Sequence, residues 1–211
     1  MTPDLSHEIF AGLFPPSVVV RSRDPRISHA EGPPEEEAQI ARAVTKRKNE
    51  FRAGRRCAHE ALRAIKSDQP LLLTGPDREP LWPKGVVGSI SHSSVLCVAA
   101  VALGGDLRGL GVDTEIDEVL PAALIPKVCT EREAARGLHK QVFSAKEATY
   151  KCLHPIVKKF FGFHAAEIEF DAGTFTVTLL IDLPPFTKGA RFAGRHRTQD
   201  GLIATALIVP F

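Results

Sequence analysis

Residues 86–103 read VVGSISHSSVLCVAAVAL. Two β-prone runs, VVGSISHS and VLCVAAVAL, flank a tight polar turn. Parallel neighbours need a crossover of roughly a dozen residues or more, so runs this close together are an antiparallel pair. SVVV (17–20) reads as a short early strand, and RSRDPRISHAEGPPEEE after it as a loop, from its Pro, Gly and charge content. From about Glu35, apolar Ile40, Ala43, Val44 and Phe51 recur at helical spacing, and Ala58, Leu62 and Ile65 carry the pattern past Gly54. That predicts one long helix or two successive helices, with basic residues on the outer face. QPLLLTGPDREPLWPKG (69–85) reads as strand, turn and loop, and GLGVD (109–113) as a short buried strand ending on an acid.

TERE (Thr130 to Glu133) has the form of a capping box that opens a helix. A further helix carries FSAKEATYKCL (143–153), and EIEF, TFTVTLLID, ARFAGRH and LIATALIV each read as strands. Helices and strands alternate in both halves without regular βαβ spacing. The fold class is therefore α/β of the mixed, α+β kind, with small antiparallel sheets. GGDLRG (104–109) is the candidate hinge, which divides the chain into lobes 1–104 and 105–211.

At 211 residues, 44% hydrophobic and 25% charged, the chain can bury a sizeable core. A net charge of +2 gives no broad nucleic-acid footprint, although basic residues cluster in KRKNEFRAGRR (46–56). No apolar run approaches the ~18 residues of a membrane span. MTPDLSHEIFAGLF carries Asp4 and Glu8 and lacks the basic start and apolar core of a secretory leader. Cys57, Cys97, Cys129 and Cys152 are widely spaced, with no C-x-x-C pair, as expected of reduced thiols in a cytoplasmic protein.

Several short motifs have two readings each. Asp113 and Glu115 in GVDTE are two apart, so in an extended segment they face one side. They are either solvated acids or oxygen ligands for a hard cation such as Mg²⁺. In FSAKEATYK, Phe143, Glu147 and Lys151 share one helical stripe. Glu147 and Lys151 fit a surface salt bridge, Ser144 and Glu147 fit a second capping box, and the same two charged groups fit a metal ligand and a phosphate contact. SISHS (89–93) places His92 where it is either an idle turn histidine or an anion contact. Arg47, Lys48, Arg52, Arg55 and Arg56 are either a solvated face or a phosphate grip. Phe51 alone interleaves them, which argues against a stacking groove for single-stranded nucleic acid.

In order, the chain runs RKNEFRAGRRCAHEAL (47–62), WPKGVVGSISH (82–92), GVDTE (111–115) and FSAKEATYK (143–151). This series resembles the Sfp-type 4′-phosphopantetheinyl transferases, in particular the enterobactin-synthase-component-like branch and its actinobacterial members, over residues 35–162. The resemblance implies two similar, pseudo-symmetric lobes with the active site at their interface, coenzyme A as co-substrate, and Mg²⁺, with Mn²⁺ as a substitute. It implies Asp113 and Glu147 as metal ligands with Glu115 as the third acid, Lys151 on the phosphate and Glu147 as base. Ser91 and His92 would lie on the coenzyme A phosphates, and Arg47 and Arg55 on the adenosine 3′-phosphate region.

Relatives often carry a lysine in the loop before the tryptophan. Here the loop is GPDREP, and Arg78 is the candidate replacement. The aromatic-proline that often follows the helix motif is replaced by Leu153, His154 and Pro155. The implied partners are acyl and peptidyl carrier proteins of polyketide, fatty acid, nonribosomal peptide and siderophore synthesis, served by a monomer, with no nucleic acid and no membrane. Two other functions use the same residues: a Mg²⁺-dependent nuclease or phosphohydrolase, and a non-catalytic binder of coenzyme A or of a carrier protein.

Overall fold

The hairpin of residues 86–103 forms, and the rest of its sheet is antiparallel too. The computed structural model describes residues 7–67, 71–105 and 107–211. A 3-10 turn (Glu8–Phe10) precedes β1 (Val19–Arg23), α1 (Pro34–Ala38), α2 (Thr45–Ala64), β2 (Val86–His92) and β3 (Cys97–Leu103). β4 (Leu107–Ile116) opens the second half, followed by α3 (Ile125–Val128), α4 (Glu131–Arg136) and α5 (His139–Val157). β5 (Ala166–Asp171), β6 (Thr174–Leu179), β7 (Arg191–Gln199) and β8 (Leu202–Pro210) complete it. Two antiparallel sheets result, of order β1-β3-β2 and β4-β8-β7-β6-β5. Each lobe thus pairs a sheet with one long helix, though the sheets have three and five strands.

β3 reads as a continuous apolar run because both its faces are covered. Ala99 and Val101 meet Ala58, Ala61 and Leu62 of α2, whose small side chains let the helix lie close. Val98, Ala100 and Ala102 face the other way, into a core shared with Leu110 and Val112 of β4 and Ala204 and Ala206 of β8. Ile9, Phe10 and Leu13 complete that core, and Arg195 and Arg197 of β7 donate to the carbonyls of Gly12 and Glu8. The N-terminal segment therefore straps the first lobe to the sheet of the second.

β4 is an edge strand, and its outward amides need acceptors. Serines two apart on β2 supply them: Val112 N–H donates to Ser89 Oγ (3.1 Å) and Thr114 N–H to Ser91 Oγ (3.4 Å). On the opposite side of the lobe, α5 presses directly on β4. A Cβ at Gly111 would stand 2.0 Å from the Ala148 carbonyl oxygen, so only glycine permits this approach. The predicted capping box at Thr130–Glu133 is present. Buried Glu133 also accepts from Ile168 N–H and from Lys146 Nζ, both at 2.7 Å, which docks α4 and α5 onto β5.

Several expectations are corrected. The 35–65 pattern forms two successive helices, α1 and α2, as one of the two expected arrangements had it, but residues 39–44 belong to neither, and Val44, 73% exposed, sits in extended backbone rather than on a helical face. Arg55 is buried, not on the outer face, because it stacks on Phe51 and donates to Thr74 of the 71–85 segment. GLGVD does not end a strand: Asp113 lies within β4 opposite Thr205, since pairing with β8 continues to Ile116. Ser144 cannot cap a helix, because α5 has begun a turn earlier at His139. Strand β1 falls at 19–23 rather than 17–20. The 71–85 segment contributes only an isolated Thr74–Pro80 bridge. Leu107–Gly109 of the hinge already belong to β4, and residues 106, 69–70 and 1–6 lie outside the described residues. All four cysteines are free and buried, and burial pushes the Cys57 thiol up to about 12. Among the described residues no helix is long and apolar enough to cross a membrane.

Candidate active site between the lobes

A cavity of about 680 Å³ opens where β2, α2 and the 75–80 loop of one lobe face β4 and α5 of the other. Arg47, Arg55, Arg78, Ser91, His92, Asp113, Glu115, Glu147 and Lys151 all line it. Residues that the sequence separates by more than 100 positions are thus brought to one place.

β4 contributes the acids. Asp113 is 2% exposed. Its Oδ1 accepts from Ser91 Oγ and Lys151 Nζ, both at 2.6 Å, and its Oδ2 from Ser144 Oγ at 2.8 Å. Glu115, on the same face, takes Lys140 Nζ on Oε2 at 2.7 Å. α5 presents Lys140, Ser144, Glu147 and Lys151 at spacings of four, three and four, which is one stripe of a helix. Lys151 therefore reaches across to Asp113 and Ser91 (3.0 Å) rather than back to Glu147, so the surface salt bridge is not the reading that holds. Burial raises the Glu147 carboxyl above its ordinary pKa, with Asp113 and Glu115 adding to the rise and Lys151 opposing it. Glu115 is raised likewise, by burial first and then by Asp113, against Lys140 and Lys151.

α2 and β2 contribute the basic wall. Arg47, Glu50, Phe51, Gly54 and Arg55 fall on one stripe of α2 and line the cavity. His92 Nε2 lies 2.8 Å from Arg47 Nη1. A guanidinium only donates, so Nε2 accepts and the ring proton sits on Nδ1, 3.8 Å from Glu50 Oε2. Burial lowers the His92 pKa; Glu50 opposes that, while Arg47 and Lys151 assist it. Arg55 is 8% exposed and stacks on Phe51 at 4.6 Å. It donates from Nη2 to Thr74 Oγ1 at 2.8 Å, yet its Nε has no hydrogen-bond partner among the described residues. Desolvation lowers its pKa to about 10. A buried guanidinium at the wall of a cavity is an anion site in chemical terms. Arg78 stands on the 75–80 turn with φ of 66°. That turn touches α5, where His154, stacked on Tyr150, comes within 3.7 Å of Asp77.

The candidate ligands Asp113, Glu115 and Glu147 are all carboxylates, a hard donor set that suits Mg²⁺ or Mn²⁺. Burial, and after it the repulsion among these acids, raises the Glu115 and Glu147 carboxyls, and a divalent cation relieves the repulsion. The side chains are not preset around one, however. Among the described residues no three such groups stand close enough together to hold an ion, and Asp113 and Glu115 are each engaged by a lysine.

Sequence reasoning missed Ser144, Lys140, Glu50, Phe51 and Thr74. The first two lay one and two turns before Glu147 on the stripe already read from FSAKEATYK, and Glu50 and Phe51 lay between Arg47 and Arg55. Nothing in the sequence brings Thr74 to Arg55. A smaller apolar recess of about 210 Å³ adjoins the cleft at Glu147, lined by Tyr150, Phe160, Phe161 and Phe163.

The family model of the 4′-phosphopantetheinyl transferase N-terminal domain matches residues 35–102, and that of the 4′-phosphopantetheinyl transferase superfamily matches residues 109–202. The chain is similar to 4′-phosphopantetheinyl transferase Svp of Streptomyces mobaraensis, with 39% identity over 83% of this chain and 78% of that one. It is also similar to 4′-phosphopantetheinyl transferase PptT of Mycobacterium tuberculosis, at 36% identity over 83% and 85%. Enterobactin synthase component D of Salmonella typhimurium is 30% identical over 62% and 58%.

Proposed function

The chain belongs to the 4′-phosphopantetheinyl transferase superfamily, and from that premise we propose that the cleft between its lobes is where coenzyme A meets a carrier-protein serine. It is a transferase: it moves the 4′-phosphopantetheine group of coenzyme A onto acyl or peptidyl carrier proteins. The serine oxygen forms a bond to the β-phosphate, the pyrophosphate bond breaks, and adenosine 3′,5′-bisphosphate leaves. The single observation that carries the site assignment is the convergence of five basic and four acidic side chains from both lobes on one cavity.

Each residue has a physical task in this reading. Lys151 exchanges its Asp113 contact for a phosphate oxygen, and His92, through its Nδ1 proton, is a second donor to the diphosphate. Arg47 and Arg55 take the adenosine 3′-phosphate, and Arg78 closes over the phosphates from the loop side. Glu147 accepts the serine proton, for which its raised pKa makes it a stronger base than an ordinary carboxylate. Asp113, Glu147 and Glu115 would hold Mg²⁺ or Mn²⁺. Such an ion neutralises charge on the pyrophosphate when bound. The apolar recess beside Glu147 suits the aliphatic part of the pantetheine arm. Every group named lies on this chain, so the proposed site needs no residue from a second copy.

Mixing the protein with apo carrier protein, coenzyme A and Mg²⁺ and weighing the carrier tests this. Its mass should rise by one phosphopantetheine with the wild type and stay unchanged with Asp113→Ala. Normal loading by that variant would refute the assignment of the acids, and no loading of any acyl or peptidyl carrier would refute the function.

A further inference from the structure

Lys140 has no task in the transfer chemistry, yet its ammonium is bound to one of the acids that the metal requires. Its side chain is 12% exposed. The Nζ sits 2.7 Å from Glu115 Oε2 and 5.3 Å from the Phe143 ring centroid. A second carboxylate oxygen, Glu118 Oε1, stands 4.0 Å from the same Nζ, on a side chain that is 64% exposed. Lys140 thus has a present partner inside the cleft and a spare one at its rim. With Lys151 on Asp113 at 2.6 Å, both β4 acids are already neutralised, and a cation arriving alone must displace an ammonium.

We propose that Lys140 is a positioning residue that occupies the cation's place at Glu115 and ties metal entry to coenzyme A. It rests on the transferase reading above. Phosphate groups entering the cleft offer Lys151 a new partner and add negative charge beside Glu115. The balance then favours a divalent ion, and Lys140 turns from Glu115 to Glu118. In the free protein the same ion meets two lysines and little uncompensated charge. Because linkage is reciprocal, metal and coenzyme A each raise the other's affinity. Lys140 sets part of that coupling by weakening metal binding to the free protein.

The test is Mn²⁺ binding, followed by the electron paramagnetic resonance signal of the free ion, with and without coenzyme A. Lys140→Met keeps the stem on Phe143 and removes the charge. Without coenzyme A it should bind Mn²⁺ about tenfold more tightly than the wild type, within the usual range of such couplings. With coenzyme A the two should bind nearly alike. Glu118→Gln, an exposed change, should move the other way and weaken Mn²⁺ binding when coenzyme A is present. Unchanged or weaker Mn²⁺ binding by Lys140→Met without coenzyme A would overturn the proposal. If the wild type takes up no Mn²⁺ even with coenzyme A bound, the metal assignment falls and the proposal with it. If coenzyme A itself does not bind, the transferase reading of the cleft falls.

Discussion

Glu147 and Arg55 show what it costs to hold unpaired charge against a cleft. Glu147 has a raised pKa from burial and from two neighbouring acids. A carboxyl whose folded-state pKa lies above its unfolded one stabilises the fold while protonated, and that contribution is lost as pH rises through the folded value. At neutral pH the ionised group therefore weakens the fold. Glu147→Gln should raise Tm at pH 8 by roughly 2 °C or more while transfer falls about 10²- to 10⁴-fold. The gain in Tm should vanish below about pH 4, where the unfolded carboxyl is protonated as well. Calorimetry across that range checks the sign, and a lower Tm at pH 8 would contradict it. Arg55, buried with an Nε that finds no partner among the described residues, is the counterpart on the basic wall. Arg55→Ala should weaken coenzyme A about 10- to 100-fold, as expected for lost hydrogen bonds to a charged group, with less effect on kcat. The wild type's preference for coenzyme A over its 3′-dephospho form should shrink in parallel by titration calorimetry.

Elements position these groups, and the closest approach between elements does most of that work. α5 lies on the backbone of β4, where a Cβ at Gly111 would come 2.0 Å from the Ala148 carbonyl oxygen. Gly111→Ala must push the helix outward, carrying Glu147 and Lys151 away from Asp113. Destabilisation should reach about 3 kcal/mol, the upper end for overpacking, and a displacement near 1 Å should lower activity about 100-fold. Urea unfolding and the loading assay measure the two, and a stable, fully active Gly111→Ala would refute the geometry. This approach also marks the limit of what the sequence discloses. The stripe Phe143-Glu147-Lys151 and the two-apart acids Asp113 and Glu115 are periodic, so their faces were legible from spacing alone. Lys151 choosing Asp113 over Glu147 was not, because the choice depends on how near α5 sits to β4. The 40–44 segment misled for a related reason: Ile40 is buried by tertiary contact, not by a helical face, and Val44 lies exposed in extended backbone.

At the scale of the whole molecule, two sheets joined by a short turn invite a picture of two lobes that unfold separately. The buried core argues otherwise. Phe10, 3% exposed, comes from the extreme end of the described first lobe. It shares a cluster with Ala100 of β3, Val112 of β4 and Ala206 of β8. Removing its ring therefore opens a hole in the core that both sheets share. The serine-to-amide bonds from β2 to β4 couple the sheets at a second place. Unfolding one lobe would expose the shared face of the other, so the chain should unfold as a unit. Phe10→Ala should cost about 3–5 kcal/mol and leave a single transition. Trp82 is the sole tryptophan and lies in the first lobe against Cys57 and Ala99. Its fluorescence reports that lobe, whereas far-ultraviolet circular dichroism reports both. The two probes should give coincident urea midpoints in the wild type and in Phe10→Ala. A fluorescence midpoint that stays put while the dichroism midpoint falls would mean that the lobes melt independently. The cleft would then be a contact between two separate domains, and the catalytic groups would depend on bound substrate to hold them in register.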